Sequence, residues 1–282
     1  YGLHVLVSNF SQNRIEAPAL CWELACHDRV LLKGTQKSGE VFETGEVKEL
    51  GYIRFDLPEV QKPETFILHA SMDYDGKKAE NSWPVFMYPR PERIAQKIGL
   101  YDPAGIFAGI GDLCVIAGLE DERAVEGADM VATSRLTPKI REYAENGGRV
   151  FFVQRGTGYL PIKKVAFWRE GMIRRFNHPV VEEVKYEQWF DDLRFFSVAT
   201  DTAFDTGQLK RMPFDALRPV IRRYDCREWE ISDYMTEIKL GKGVVLASTL
   251  RLEGGMGKQP PGISNNRFGL WLFHSAVRYL SK

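Results

Sequence analysis

Four kinds of residue in this chain could do chemistry. Hydrolysis of a glycosidic bond needs two carboxyl groups at a set separation across that bond. Asp191-Asp192 and Glu182-Glu183 are the adjacent pairs. Neighbouring residues in a strand point to opposite faces, so each pair would diverge, and both read as solvated charge. The loop "GGMGKQPPG", 254–262, lies between a strand-like and a helix-like segment, where a phosphate cradle would sit. Its details fail: Leu252 stands where a P-loop has its first glycine, and Gln259 where it has Ser or Thr. Pro260 and Pro261 also remove two backbone donors.

The histidines His4, His27, His69, His178 and His274 form no H-x-x-x-H or H-E-x-x-H pattern, so no metal set and no cofactor is indicated. His178 and His274 read as structural. Cys21, Cys26, Cys114 and Cys226 contain no C-x-x-C, which leaves out a zinc knuckle or a redox motif. Cys21 and Cys26 fall on opposite faces of one strand and should not pair with each other. Among the six tryptophans, Trp22, Trp83 and Trp271 sit in apolar patterns and read as core. Trp168, Trp189 and Trp229 stand among charges, in "AFWRE", "EQWFDD" and "REWE", and are the candidates for stacking on a sugar.

The elements that must position these residues follow two grammars. Residues 1–90 read as all-β. "ALCWELACHD" alternates Leu20, Trp22, Leu24 and Cys26 against Cys21, Glu23 and Ala25, and "GYIRFDLP" places Ile53, Phe55 and Leu57 inside. Such strands, separated by Gly, Pro, Asp and Lys clusters, predict a β-sandwich. "SWPVFMYPRP" ends a strand against two prolines, which marks a domain boundary.

Residues 91–282 predict an α/β domain. In "ADMVATSRLTPKIREYAENGGRVFFVQRG", Met130–Thr133 is a buried strand and Thr137-Pro138 starts a helix with Ile140, Tyr143 and Ala144 inside. Gly147-Gly148 ends that helix before the strand Val150–Val153. "KGVVLASTL" and "NNRFGLWLFHSAVRYL" add a last buried strand and an amphipathic helix. Near-continuous apolar strands joined by a helix argue for a parallel sheet covered on both faces. Residues 155–240 read as extra strands and long connections. In such a sheet a ligand site lies beyond the strand carboxyl ends. That points to Gln154, Arg155 and Thr157 after one strand, and Arg251 and Glu253 after another.

Charge narrows the partners. Lys+Arg and Asp+Glu number 38 each, so no basic field favours nucleic acid, and no run of 18 apolar residues predicts a membrane span. The residues leave the compartment undetermined. The sequence begins at Tyr1, and the expectation is a piece of a longer polypeptide.

The first ninety residues resemble the immunoglobulin-like domains that follow the catalytic barrel in glycoside hydrolase family 2, the group of β-galactosidase-like and β-glucuronidase-like proteins. The matching phrases are the W-x-L strand at Trp22, "GYIRFDLP", and "ENSW" opening the terminal strand. The remainder resembles the flavodoxin-related, class I glutamine amidotransferase-like domain appended to some large glycosidases. An active amidotransferase would carry a G-x-C-x-G elbow, whereas "QRGTG" follows Val153, and no histidine has Glu two positions on.

Family 2 hydrolases carry an Asn-Glu acid/base, and no Asn-Glu dipeptide is present. The resemblance therefore implies a non-catalytic accessory region whose partner is an upstream catalytic barrel. Carbohydrate and a second copy of the chain are further partners it allows, and the parent's place could be periplasmic or extracellular. Two other readings stay open: a stand-alone carbohydrate-binding or scaffold protein, and a hydrolase or transferase with its own site in the α/β domain.

Overall fold

A computed structural model describes residues 1–111, 113–117, 125–157, 159–165, 171–184, 197–254 and 262–282. The chain divides into two compact units, Tyr1–Arg90 and Pro91–Lys282.

The first unit holds strands β1 (Gly2–Ser8), β2 (Ile15–Glu16), β3 (Ala19–Cys26), β4 (Arg29–Lys37), β5 (Val41–Phe42), β6 (Val47–Arg54), β7 (Glu64–Tyr74) and β8 (Lys77–Met87). A four-stranded sheet runs β4-β3-β7-β8, while β1 pairs β6 and β2 pairs β5. Every pairing is antiparallel. On β7 the buried residues are Phe66, Leu68, Ala70 and Met72, the two-residue period of a strand with one face in the core. They join Leu20, Leu24, Phe42, Leu50, Ile53 and Phe55 in one cluster, and the unit is a β-sandwich.

Two of the expected core residues lie elsewhere. Leu57 is exposed because β6 ends at Arg54, before it. Trp83 is 42% exposed, because β8 is an edge strand that enters the core only at Val85 and Met87.

The second unit holds β9 (Ile94–Tyr101), β10 (Cys114–Ala117), β11 (Met130–Thr133), α1 (Pro138–Glu145), β12 (Arg149–Val153), β13 (Ile162–Lys164) and β14 (Gly171–Arg175). It continues with β15 (Thr202–Asp205), α2 (Thr206–Leu209), β16 (Ala216–Asp225), β17 (Ile231–Leu240), β18 (Gly243–Ser248) and α3 (Arg267–Leu280). The sheet runs β10-β9-β11-β12-β18-β17-β15-β13, with β16 joining β17 to β14. The strands from β10 to β18 in that order are parallel, and all pairings beyond β18 are antiparallel.

Local chemistry explains the central unit β11-α1-β12. The Thr137 hydroxyl accepts from the Ile140 N–H at 3.3 Å, which satisfies one of the free donors at the helix start, and Pro138 follows where its missing N–H costs nothing. Gly147 takes φ +113° just past the helix end, a region that suits glycine. Val150 and Phe152 pack with Ile140 and Ala144 of α1. Phe151 turns to the other face, against Phe107 and Phe273 of α3, with ring centroids 6.0 and 6.2 Å away. Cover on both faces is why β12 reads as an unbroken apolar run.

The expected flavodoxin-like, three-layer α/β domain is not shown: the described residues form a mixed sheet with few helices. They are mostly strand, with helices of eight and fourteen residues and short helical turns at Thr206–Leu209 and Ile263–Asn265. The long stretch between β12 and β18 adds antiparallel strands where alternating helices would be needed.

Candidate functional site

The carboxyl ends of β9, β11, β12 and β18 open on one edge of the second unit. Arg155, two residues past β12, reaches the turn after β18. Its Nη1 donates to the Gln154 and Thr249 carbonyls, both at 3.1 Å, and its Nη2 to the Leu250 carbonyl at 3.0 Å. Nη2 also meets the two Glu253 oxygens at 3.0 and 2.7 Å. Arg251 Nε stands 3.8 Å from the same carboxylate. Burial draws the Arg155 guanidinium below its ordinary range, against the pull of Glu253. Arg155, Arg251 and Glu253 are thus brought together.

Gln154 is not part of that group. It is buried, its amide donates to the Gly156 and Leu160 carbonyls at 3.0 and 2.9 Å, and its oxygen accepts from Leu160 N at 3.0 Å. These bonds fold the chain after β12 back on itself and leave the amide committed to backbone.

The hydroxyls at this edge are engaged in a similar way. Thr133 Oγ1 lies 2.8 Å from both the Tyr101 and Arg135 carbonyl oxygens, and Ser134 Oγ accepts from Ala104 N at 3.0 Å. Ser248 Oγ donates to the Tyr234 carbonyl at 3.2 Å. Two buried oxygens, Asp102 Oδ1 and Thr249 Oγ1, have no hydrogen-bond partner among the described residues. The second oxygen of Asp102 accepts from Phe107 N at 2.7 Å, and its charge acts on Arg155. Sequence reasoning missed Asp102 and Thr249. The signal was present: each stands directly after a parallel strand or one residue beyond it, as Gln154 and Arg155 do.

Of the three tryptophans expected to meet a ligand, Trp168 and Trp189 lie outside the described residues. Trp229 is 88% exposed in the turn between β16 and β17, at φ +57°. The strand that follows this turn, β17, pairs with β18, Met235 opposite Ser248. Trp271 lies in the core, and Trp22 is half-buried, stacked on Phe55 at 5.5 Å. Glu182 is exposed and Glu183 pairs with Arg278 at 3.1 Å, while Asp191-Asp192 and most of the 254–262 loop lie outside the described residues.

A second polar cluster is built around His178, which is fully buried. Its Nε2 lies 3.1 Å from a Glu237 oxygen that also accepts from the Tyr279 hydroxyl, and its ring meets the Tyr279 ring edge-on at 4.9 Å. Burial pushes the Glu237 carboxyl up, but the bonds from His178 and Tyr279 outweigh it and hold the group below its ordinary range. Burial, and donation to Glu237, push the Tyr279 hydroxyl up to about 12. The structural role read for His178 fits this buried, bonded setting.

Against known proteins, the family model described as a domain of unknown function (DUF8488) matches residues 2–89. No curated protein matches the chain. Similar solved structures include a cold-adapted β-galactosidase from Rahnella sp. R3, at 8% identity and TM-score 0.36 over 67% of this chain and 31% of that one. The β-glucuronidase 2 of Bacteroides uniformis is 11% identical with TM-score 0.24, covering 54% of this chain and 21% of that one. A Parabacteroides merdae β-glucuronidase is 12% identical with TM-score 0.20, covering 54% and 24%. The chain spans about a third or less of these proteins' own length.

Proposed function

We propose that this chain is a non-catalytic accessory region of a larger family 2-type glycoside hydrolase, joined to a catalytic barrel that supplies the two carboxylates. The observation that carries the reading is the self-pairing of the strand-end group. Arg155 and Glu253 are bonded to each other, Arg155 to three carbonyls besides, and Thr133, Ser134 and Ser248 to backbone. A hydrolase or transferase site needs a nucleophile held by a base. Here the hydroxyls of Thr133, Ser134 and Ser248 serve the fold.

The finer domain assignments rest on further particulars. The first half of "GYIRFDLP" falls on β6 and "ENSW" on β8 of the sandwich, in support of an immunoglobulin-like unit. The five parallel strands, numbered along the chain, lie in the order 2-1-3-4-5, that of flavodoxin-like sheets, in support of that kinship for residues 91–282. In the intact protein the second unit would serve packing against the barrel, contacts between copies, or the rim of the substrate cleft.

The test is turnover. The purified chain is assayed against a panel of aryl glycosides at high protein concentration. The expected result is no hydrolysis above buffer. Hydrolysis that persists through purification and falls in Glu253→Gln would overturn the proposal and locate a site at the strand ends.

A further inference from the structure

One cluster outside the strand-end group has the chemistry of a metal site. The two-residue turn between β3 and β4 consists of His27 and Asp28, and Cys26 is the last residue of β3. Glu64 opens β7, the strand beside β3 in the sheet. The Cys26 Sγ, a His27 ring nitrogen and a Glu64 carboxylate oxygen all lie within 4.8 Å of one another. His27 Nε2 stands 3.8 Å from Glu64 Oε2. We propose that Cys26, His27 and Glu64 bind one divalent cation of the zinc class, with the fourth coordination position open to water.

The donor set selects the ion. Thiolate, imidazole and carboxylate together suit zinc and its neighbours, whereas calcium and magnesium call for oxygen alone. Zinc bond lengths of about 2.0–2.3 Å in a tetrahedron bring ligand atoms to about 3.3–3.7 Å apart. The present spacing therefore needs a contraction of about 1 Å. His27 can supply it, since its side chain is 81% exposed and free to turn.

The neighbours leave the three donors available. Lys62 Nζ lies 3.5 Å from Glu64 Oε1, the oxygen other than the one that faces His27. Cys26 is a free thiol whose nearest acceptor is the Thr65 carbonyl, at a long 3.9 Å. His27 holds φ +52° in this turn, a left-handed conformation that histidine, like Asn and Asp, adopts more readily than most side chains. A bound ion would tie the β3–β4 turn to the start of β7 and so clamp one end of the sandwich.

The test uses the full chain, stripped of metal by chelator, and Zn²⁺ alone as titrant. Calorimetry should give one site per chain, and Co²⁺ should give a thiolate-to-metal charge-transfer absorption. Cys26→Ser should abolish that absorption, and Cys226→Ser, which removes the exposed thiol elsewhere, should leave it intact. Glu64→Gln should weaken Zn²⁺ binding about tenfold or more. His27→Asn keeps a residue suited to the turn, so its metal-free unfolding temperature should be no lower, while the rise in that temperature on adding Zn²⁺ should disappear. Absence of the absorption, its loss in Cys226→Ser, or undiminished Zn²⁺ binding in Cys26→Ser would each overturn the proposal.

Discussion

Arg155 and Glu253 are 98 residues apart in sequence, yet one guanidinium nitrogen of the first lies within hydrogen-bond reach of both oxygens of the second. The pair ties the loop after β12 to the turn after β18, and the guanidinium also caps the Thr249 and Leu250 carbonyls. The two side chains are 26% and 17% exposed, so water screens the pair only in part. Removing one partner of a wholly buried pair costs about 3–5 kcal/mol, because the other charge stays buried and alone. With this exposure, Arg155→Ala should destabilise the chain by about 2–4 kcal/mol in urea unfolding. Glu253→Gln, which keeps an acceptor, should cost less. A loss under about 1 kcal/mol for Arg155→Ala would show that the pair is incidental.

Glu237 sets a pH dependence with a definite sign. Its carboxyl lies below the ordinary value of 4.5 in the folded chain, held there by His178 and Tyr279. A depressed carboxylate adds stability above its unfolded pKa and loses it as pH falls through the folded one. The stability gap between the native chain and Glu237→Gln should therefore be full above pH 4.5 and close progressively below it. Tyr279 acts at the other extreme. Its hydroxyl is pushed up to about 12, so its contribution holds below the ordinary value of 10 and fades as pH rises toward 12. Unfolding curves from pH 2 to 7 for the two proteins check the first claim. A constant gap across that range would contradict it.

How much of this was legible beforehand depended on whether the cause was local. The β11-α1-β12 unit was readable because Thr137, Pro138 and Gly147 act within one turn of the helix end they define. The core face of β3 was readable at Leu20 and Leu24, where a two-residue period meets a single core. Trp83 was misread because periodicity does not say that β8 runs past the edge of the core. At the strand ends, Arg155 and Glu253 were found from position alone. Their mutual bond, and the commitment of Gln154 to Leu160, depend on how far a loop folds back, which sequence spacing does not encode. The meeting of Cys26 and His27 with Glu64 was invisible for the same reason: it needs the registry of β7 beside β3.

Gly269 is a case where local propensity predicts the wrong direction. It lies inside α3, where glycine costs about 1 kcal/mol relative to alanine, so the sequence suggests that Gly269→Ala would stabilise. A Cβ at this position would stand 2.1 Å from the Leu252 carbonyl oxygen, which belongs to backbone and cannot swing away. The helix approaches the turn after β18 this closely only because no side chain intervenes. Gly269→Ala should lower stability by about 2 kcal/mol or more, in the range of overpacked cores. A raised unfolding temperature would mean that α3 can shift from Leu252 at little cost.

Trp229 combines two unfavourable features, a large ring left 88% exposed and a backbone at φ +57°. Neither contributes to the fold of this chain, and the left-handed backbone costs a non-glycine residue about 1 kcal/mol or more. Trp229→Gly removes both. The unfolding free energy of that variant should be unchanged or higher by about 1 kcal/mol, while Trp271→Ala, in the core of α3, should lose about 3–5 kcal/mol. If Trp229 stacks on a glycan, its fluorescence should shift when soluble polysaccharide is added, and the shift should vanish in Trp229→Gly. A loss of stability in Trp229→Gly comparable to that of Trp271→Ala would mean that the indole packs against the protein in solution, and the ring would then be part of the fold.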